Sequence, residues 1–352
     1  EDGKDAIDEK LAIDLVRHAI DSGVNYLDTA YCYDGSEALL GKALGDGYRE
    51  KVHIATKLPV WEAKSYEDYG RLFNEELTRL NTDYIDIYLL HCLNKENWAS
   101  VKKLGGTRFL DQLYEEGKIK LKGFSFHGDY ELFKEIVDAY DWDMCLIQLN
   151  YLDQFNQAGI NGIKYAAAKG MPVVVMEPLK GGLLSGKIPG DALNLINEFP
   201  VKRTPSEWAF RWVYNNPEVK VVLSGVNTME QLNENLEIFN EASPNIMDEG
   251  ELGLIEKIRE AFISRLKVGC TGCRYCIPCP AAVNIPEIFK IYNDSALFEE
   301  LEFQKRIYNI VAVSCGEDAS KCVECRKCEA LCPQGIDIVN KLKEAHEVLG
   351  CP

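Results

Sequence analysis

The stretch YIDIYLLH at residues 84–91 decides the fold. It is short, rich in β-branched and apolar side chains and scarcely interrupted by polar ones, which is typical of a strand buried on both faces of a parallel sheet. Six further runs of this kind recur along the first two thirds of the chain, separated by stretches with a helical pattern: VNYLDTA at 24–30, VHIATKL at 52–58, LKGFSFH at 121–127, MCLIQLNY at 144–151, PVVVMEP at 172–178 and KVVLSGV at 220–226.

The segments between these runs read as helices with ordinary start and stop signals. LAIDLVRHAIDSG ends on Gly23, SEWAFRWVYNN follows a start at Thr204–Pro205, and residues 229–263 read as continuous helix. Seven strand–helix units predict an α/β fold, a (β/α)8 TIM barrel that is one strand short. An open barrel would leave unpaired strand edges in its core, so we expect the first strand upstream of Glu1. The barrel domain is predicted over residues 1–262.

Composition limits the kinds of partner that the chain can have. With 352 residues and 46% hydrophobic content, it can bury one large core and a small additional domain. The net charge is −17, and nearly all of it lies before residue 263, which argues against nucleic acid and against anionic membrane surfaces. No apolar run reaches the ~18 residues of a membrane span.

Residues 263–352 carry two cysteine runs, CTGCRYCIPCP at 270–280 and CVECRKCEALCP at 322–333. The second run has the C-x2-C-x2-C-x3-C-P spacing of bacterial [4Fe–4S] sites, and the first is one residue tighter at its end. Together they resemble a two-cluster ferredoxin, in which the fourth cysteine of each run binds the other cluster. The resemblance implies a small α-helical, ferredoxin-like domain over 263–352 with two [4Fe–4S] clusters, one on Cys270, Cys273, Cys276 and Cys332, the other on Cys322, Cys325, Cys328 and Cys279.

Two alternatives to iron–sulfur clusters are zinc sites and disulfide bonds. Four-cysteine zinc sites usually show two separated C-x2-C pairs each, which these runs do not. Cysteines as close as these triplets do not easily form disulfides with one another. The other five cysteines (Cys32, Cys92, Cys145, Cys315 and Cys351) read as free thiols. Free thiols beside oxygen-sensitive clusters indicate a reducing compartment, and we expect the cytoplasm.

The segment DTAYCYDGSEALLGKAL at 28–44 resembles the DTAxxYxxSExxLGxAL signature of the aldo-keto reductases. ATKL at 55–58 and YIDIYLLH match the strands on which that family carries its lysine and histidine. The whole chain thus resembles the iron–sulfur-containing aldo-keto reductases, which implies a catalytic set of Asp28, Tyr33, Lys57 and His91. In that set Tyr33 is the acid, Lys57 lowers the pKa of the phenol, Asp28 holds Lys57, and His91 orients the substrate oxygen.

Four later segments fall where the family binds NAD(P)(H): GFSFH at 123–127, IQLNY at 147–151, MEPLKGGLLSG at 176–186 and SGVNTMEQLNENL at 224–236. The resemblance implies that Ser125 and Gln148 hold the nicotinamide carboxamide and that Asn235 holds the adenine. Glycines in the third segment permit close backbone approach, and the helix start in the fourth suits pyrophosphate. The remaining implied cofactor residues are Pro178, Leu179, Gly181, Ser224, Gly225, Thr228 and Gln231.

This chain departs from the family pattern at several of these positions. Phe126 stands where an Asn usually follows the Ser, and Met176, followed by Glu177, stands where a Tyr usually stacks on nicotinamide. The two cations that many members place on the 2′-phosphate of NADP fall at Gly225 and Gln231. A dianionic phosphate without two cationic partners is poorly held, which argues against a preference for NADP.

Two functions therefore compete. The intact four-residue set favours NAD(P)-dependent carbonyl reduction or alcohol oxidation on a small molecule, in a pocket for which Trp61, Trp98 and Tyr151 are candidates. The rival is an electron-transfer protein, whose clusters pass electrons to a partner while the barrel serves as a scaffold or holds a flavin or a radical-capable substrate. Nicotinamide moves two electrons as hydride and a [4Fe–4S] cluster moves one, so direct exchange normally requires a converter such as flavin.

Overall fold

The computed structural model describes residues 7–270, 272, 274–332 and 334–350. Within them seven strands form one parallel sheet, in which each strand pairs with the next in chain order. This order, with helices between the strands, is that of an α/β barrel and confirms the predicted fold class. The strands are β1 (Tyr26–Asp28), β2 (His53–Leu58), β3 (Ile85–Leu93), β4 (Ile119–Phe126), β5 (Met144–Gln148), β6 (Val173–Met176) and β7 (Val219–Val222).

All seven strands lie inside the runs that the apolar pattern predicts, apart from one or two residues at the edges of β3, β4 and β7. The described helices of the first 248 residues are α1 (Glu9–Asp21), α2 (Ser36–Ala43), α3 (Tyr66–Leu80), α4 (Lys95–Leu104), α5 (Gly106–Glu115), α6 (Tyr130–Ala139), α7 (Gly159–Ala168), α8 (Leu183–Gly186), α9 (Gly190–Glu198), α10 (Pro205–Tyr214) and α11 (Met229–Asn240). Those that follow are α12 (Glu249–Ile263), α13 (Ile285–Leu297), α14 (Leu301–Tyr308), α15 (Lys327–Leu331) and α16 (Ile338–Leu349).

One helix prediction is wrong. The segment 229–263 forms two helices, α11 and α12, and residues 241–248 between them are not helical. Pro244 lies in this break, and proline cannot continue a helix because it lacks the N–H and its ring clashes with the preceding turn. The predicted start at Pro205 is confirmed, since α10 begins on that residue.

The inside of the sheet is packed with apolar side chains. Ile87, Leu89, Met144, Leu146 and others form a buried cluster contributed by successive strands. A β-carbon at position 123 of β4 would lie 2.8 Å from the carbonyl oxygen of Met144 and 2.6 Å from Leu89 Cδ2, so only glycine fits there. Apolar side chains therefore fill the interior of the sheet, and the polar side chains of the candidate site lie at the ends of the strands.

A buried acid lies between the sheet and its helices. Tyr88 of β3 donates a hydrogen bond to Glu76 Oε2 of α3 (2.5 Å), and neither side chain is exposed to solvent. Burial raises the pKa of Glu76 well above its ordinary value, and the negative charge of Glu37 adds to the effect. Glu37 itself accepts a hydrogen bond from Thr56 (2.7 Å) and pairs with Arg79 (3.2 Å).

The chain divides into two compact units, residues 1–181 with 206–248, and residues 182–205 with 249–352. The second unit has its own core, in which Ile285, Phe289, Tyr308 and Leu342 are buried and six cysteines of the two runs pack against them. Its helices confirm the helical pattern predicted between the cysteine runs. The domain boundary at residues 262 and 263 stays a prediction. Among the described residues, no helix combines the length and the apolar character needed to cross a membrane.

Candidate active site and cluster site

Lys57 is the centre of the polar group at the carboxyl ends of β1–β3. It lies near the end of β2 with only 1% of its surface exposed. Its Nζ donates to Asp28 Oδ1 on the neighbouring strand (2.5 Å) and to the carbonyl oxygen of Thr29 (2.6 Å). A buried ammonium needs such partners, because an isolated charge in a low-dielectric interior is costly. Burial raises the pKa of Asp28, and the Lys57 ammonium opposes that rise.

Tyr33 lies beside this pair, in the loop after β1. The Lys57 Nζ is 5.1 Å from the centroid of the Tyr33 ring, and 47% of the tyrosine is exposed. Burial of the hydroxyl raises the pKa of Tyr33 to about 12, and the negative charge of Asp28 adds to this. The proposed lowering of that pKa by Lys57 stays a prediction.

His91, near the end of β3, faces the same region. Its ring centroid is 6.2 Å from that of Tyr33 and 5.1 Å from that of Trp61. Burial, followed by the charges of Lys57 and His127, lowers the pKa of His91 to about 3. The imidazole is therefore neutral at physiological pH and keeps one N–H donor. The structure thus brings all four predicted catalytic residues together.

A cavity of about 490 Å³ opens beside Tyr33 and is also lined by Cys32, Trp61 and Arg79. Of the three aromatic side chains predicted as pocket candidates, only Trp61 lines it. Trp98 and Tyr151 are 3% and 2% exposed and belong to the packing of the barrel. Trp98 Nε1 donates to Glu135 Oε1 (2.8 Å), which satisfies its polar atom away from the cavity.

Sequence reasoning assigned no role to two side chains at this site. Cys32 Sγ lies 3.8 Å from His91 Nδ1. His127 directly follows β4 and acts electrostatically on His91, and its own pKa is lowered by burial. The position of His127 at a strand end was the available signal. Nothing in the local sequence indicated that Cys32 would face His91, because the loop after β1 determines that contact.

The two residues predicted for the nicotinamide carboxamide lie at the ends of adjacent strands. Ser125 is buried in β4, and its Oγ accepts a hydrogen bond from Cys92 N (2.7 Å). Gln148, the last residue of β5, donates from Nε2 to Asp153 Oδ2 (3.3 Å). Phe126 is fully buried and its ring lies 5.2 Å from that of Phe133. Its side chain therefore packs against α6, and it does not take over the role of the asparagine that usually stands there.

The predicted phosphate-binding segments follow β6 and β7. Gly181 has a left-handed backbone (φ +65°), and Pro178 is buried while Leu179 is half-buried. Thr228 caps α11 by accepting a hydrogen bond from Gln231 N (3.2 Å), so the helix starts where the sequence predicts.

Polar side chains of α11 bond back to this loop. Asn235 Nδ2 donates to Ser224 Oγ (2.9 Å), and Gln231 Oε1 accepts from Asn227 N (2.8 Å). Gly225 contributes only backbone. The anion site expected at this loop and at the first turn of α11 stays a prediction.

The second unit contains the cysteine runs. Cys270, Cys276 and Cys332 line one cavity with Ile285 and Phe289. Cys332 belongs to the second run, so this cavity draws on both runs, as the predicted ligand set requires. Gly272 N donates to Cys270 Sγ (3.4 Å). Cys273, the fourth predicted ligand here, lies outside the described residues.

The other predicted ligand set also combines the two runs. Burial raises the pKa of Cys328, and the nearby charges of Glu329 and Cys279 add to it. Cys279, Cys322 and Cys328 all pack against the core of this unit, whereas Cys325 is exposed. Thiolate sulfurs from two chain segments around an apolar core are the donors that iron–sulfur clusters require.

Comparison with known proteins supports both the barrel and the cysteine-rich segment. Residues 1–249 match the aldo/keto reductase family, and residues 269–336 match the 4Fe-4S dicluster domain. An Escherichia coli (strain K12) protein described as an NADH-specific methylglyoxal reductase is 28% identical over 288 residues, which cover 66% of this chain and 84% of that protein.

Solved structures of aldo-keto reductases are similar as well. The holo form of an aldo-keto reductase from Bacillus halodurans has a TM-score of 0.61 and 27% identity, covering 72% of this chain and 88% of that one. An aldo/keto reductase from Klebsiella pneumoniae in complex with NADP and acetate has a TM-score of 0.57 and 25% identity, covering 73% and 88%. The chain is an oxidoreductase that belongs to the aldo/keto reductase family and carries a 4Fe-4S dicluster domain.

Proposed function

We propose that the barrel reduces a small carbonyl compound, and oxidises the corresponding alcohol, with NAD(P)(H) at Asp28, Tyr33, Lys57 and His91. The observation that carries the proposal is the hydrogen bonding of Lys57 Nζ to Asp28 Oδ1 and to the Thr29 carbonyl, directly beside Tyr33. A tyrosine beside a buried ammonium is a suitable proton donor, because the cation stabilises the phenolate that forms on proton transfer.

Each of the four residues has its own role in the proposed reaction. The Tyr33 hydroxyl stays protonated at neutral pH, since the pKa is raised to about 12, and donates its proton to the substrate oxygen. Lys57 stabilises the resulting phenolate, while Asp28 holds Lys57 in place. Neutral His91 donates a hydrogen bond that orients the substrate oxygen. Bound nicotinamide would supply or accept the hydride.

The residues fit a dinucleotide. Ser125 and Gln148 present a hydroxyl and an amide at adjacent strand ends, and both can bond a carboxamide. Gly181 and the start of α11 suit the pyrophosphate, and Asn235 suits the adenine. Together with Pro178, Leu179, Ser224 and Thr228, these residues form the proposed cofactor site.

NAD(H) is the preferred form in this proposal. Gly225 and Gln231 bring no charge to the loop after β7, and Gln231 Oε1 accepts a hydrogen bond from the backbone of that same loop. Glu230 in the first turn of α11 would repel a 2′-phosphate. The E. coli relative is described as NADH-specific, which agrees with this preference.

The second unit is proposed to hold two [4Fe–4S] clusters on the crossed ligand sets, Cys270, Cys273, Cys276 and Cys332, and Cys322, Cys325, Cys328 and Cys279. The shared cavity of Cys270, Cys276 and Cys332 supports the first set. Clusters of this kind transfer single electrons when bound. The proposed setting is a reducing compartment, the cytoplasm, because exposed thiols such as Cys32 accompany the clusters.

Electron transfer is the second candidate function, and the dicluster domain favours it. Cys325 is exposed, so the cluster that it binds would lie near the surface, where a redox partner could approach. The two functions are compatible if the clusters are structural or if they serve a separate partner.

The test begins with protein purified without oxygen. Iron and sulfide should each be present at about eight atoms per chain, as expected for two cubane clusters. Small aldehydes and ketones are then supplied with NADH or NADPH, and product formation is compared between the native protein and Tyr33→Phe. Equal turnover by the two proteins would overturn the proposed catalytic set.

In a parallel reaction without NAD(P)H, clusters reduced with dithionite should yield no alcohol, and an alcohol product would instead support electron transfer from the clusters.

A further inference from the structure

Asp153 connects the predicted nicotinamide and phosphate ends of the cofactor site. One oxygen, Oδ2, accepts hydrogen bonds from Lys180 Nζ (2.6 Å), Gln148 Nε2 (3.3 Å) and Asn150 Nδ2 (3.4 Å). The Asp153 and Lys180 side chains are only 18% and 21% exposed, so their attraction is less screened than that of a surface ion pair. A single carboxylate therefore links the loop after β5 to the loop after β6.

The Asp153 carboxylate is itself held in place. Asn150 is fully buried, and its Oδ1 accepts hydrogen bonds from Leu152 N (3.1 Å) and Asp153 N (2.8 Å). Its Nδ2 also donates to the carbonyl oxygen of Glu177 (3.2 Å). Asn150 thus shapes the turn that presents Asp153 and ties the same turn to the loop after β6.

The loop after β6 has an unfavourable backbone. Glu177 and Lys180 have φ values of +58° and +50°, a left-handed region that non-glycine residues rarely adopt. Such conformations persist only where surrounding contacts enforce them, and they cluster at ligand-binding sites. The ion pair to Asp153 and the Asn150 bond to Glu177 are contacts of that kind.

Gln148 is oriented at both ends of its amide. Its Nε2 faces Asp153, and its Oε1 accepts a hydrogen bond from Gln157 Nε2 (3.3 Å). The carboxylate has no proton to donate, so only the NH2 side of the amide can face it. Asp153 therefore sets which end of the Gln148 amide points to a ligand.

We infer that Asp153 is a positioning residue that holds the Gln148 amide and Lys180 together, so that the nicotinamide pocket and the loop over the phosphates form one preorganised cofactor site. This inference rests on the proposed function of the same site. It predicts that Asp153 acts on cofactor affinity, whereas Tyr33 acts on proton transfer.

The test compares Asp153→Asn with the native holoprotein. The substitution keeps the shape but removes the charge that holds Lys180, and its amide group can face Gln148 with either end. The KM for NADH and its Kd from fluorescence titration should rise about tenfold, the usual effect of losing one charged hydrogen bond. The kcat should change much less. Lys180→Met should also raise both values, and the double variant should be no worse than Asp153→Asn alone, because Lys180→Met removes only the ion pair that Asp153→Asn already removes.

Asp138→Asn is the matched control. Asp138 likewise accepts from a lysine, Lys169 (2.8 Å), and in addition from Tyr165 (2.6 Å), but it lies on α6 at the outside of the barrel. It should leave KM and Kd for NADH unchanged. An unchanged Kd in Asp153→Asn would overturn the inference, and so would a rise confined to Lys180→Met, which would mean that Lys180 contacts the cofactor directly. Failure of the native protein to bind NADH at all would instead count against the proposed function.

Discussion

Cys270 and Cys332 line the same cavity, although they belong to different cysteine runs. In the proposed crossed ligation, three cysteines of a run bind one cluster and the fourth, which is followed by proline, binds the other. Each cluster would then be anchored in both runs. Because metal-binding energy in such a small domain is folding energy, loss of either run should destabilise the whole cluster-binding region.

Crossed ligation predicts which cluster each cysteine variant damages. Cys279→Ser should impair the cluster on Cys322, Cys325 and Cys328, not the one nearest to it in sequence. Electron paramagnetic resonance of the reduced protein, with iron analysis, resolves the two clusters. Cys315→Ser is the control, because that thiol donates to the carbonyl oxygen of Ile310 and belongs to neither predicted ligand set. Damage confined to the cluster on Cys270 and Cys276 would mean that each run closes its own cluster.

Tyr33→Phe should lower the rate of carbonyl reduction by about 10²–10⁴-fold, the usual contribution of a general acid. The Kd for NADH should stay the same, because the lost hydroxyl serves the substrate. Tyr114→Phe, at an exposed position on α5, is the control and should keep full activity.

Lys57→Met should shift the alkaline limb of the pH profile upward, since removing the ammonium makes the Tyr33 phenolate harder to form. Stopped-flow rates across pH measure both effects.

The low pKa of His91 predicts a flat acid limb. With that pKa at about 3, the imidazole is neutral throughout the range in which histidines usually titrate, roughly pH 5–8. The kcat/KM for carbonyl reduction should therefore show no inflection from His91 in that range. His91→Gln keeps a neutral N–H donor and should retain more activity than His91→Ala. An inflection near pH 6.5 that vanishes in His91→Gln would contradict the assigned charge state.

Glu76 should make the protein less stable as pH rises. Its pKa in the folded protein lies well above the ordinary value, so the folded state holds a proton that the unfolded chain releases. Stability is therefore fully present below the ordinary pKa of about 4.3 and is lost as pH rises towards the folded-state pKa.

Glu76→Gln removes this loss and should raise the free energy of unfolding at pH 8, relative to the native protein, by about 1–3 kcal/mol, the cost of an unmatched buried polar group. At pH 5 the two proteins should differ less. Glu75→Gln on the same helix should not raise stability at pH 8, since hydrogen bonds from Tyr31 and Arg71 lower the pKa of Glu75. Thermal and denaturant unfolding at the two pH values provide the measurement.

Gln231→Arg should improve the use of NADPH. A guanidinium at the first turn of α11 can bond a 2′-phosphate bidentately, which the glutamine amide cannot do. The ratio of kcat/KM for NADPH to that for NADH should rise about tenfold or more, with little change for NADH. Gln112→Arg, on α5, is a charge-matched control. An unchanged ratio in Gln231→Arg would mean that the 2′ position lies elsewhere.

The strands could be predicted because a buried parallel strand is nearly all apolar, and that composition is local to the sequence. The proximity of the proposed catalytic residues could be predicted because Asp28, Lys57 and His91 fall at or near the carboxyl ends of successive strands, where a barrel brings them together. The break between α11 and α12 was missed, although Pro244 was a visible signal.

The rest depends on contacts that no local pattern encodes. Trp98 and Tyr151 follow strands as Trp61 does, yet packing buries them and leaves only Trp61 at the cavity. Burial raises the pKa of Tyr33, an effect that a list of nearby charges does not reveal. The convergence of Gln148 and Lys180 on Asp153 depends on the paths of two separate loops.

The strand order has a consequence for how the protein is made. Each described strand after β1 pairs with the one that precedes it in the chain, so the sheet can grow during translation as each new strand leaves the ribosome. The cavity of Cys270 and Cys276 is different, because it also needs Cys332, which is synthesised much later. With the proposed crossed ligation, the cluster on these cysteines is completed only after Cys332 has been synthesised, when the barrel segment is already finished. Nascent chains that stall between the two cysteine runs should carry a folded barrel segment and an unfinished cluster site.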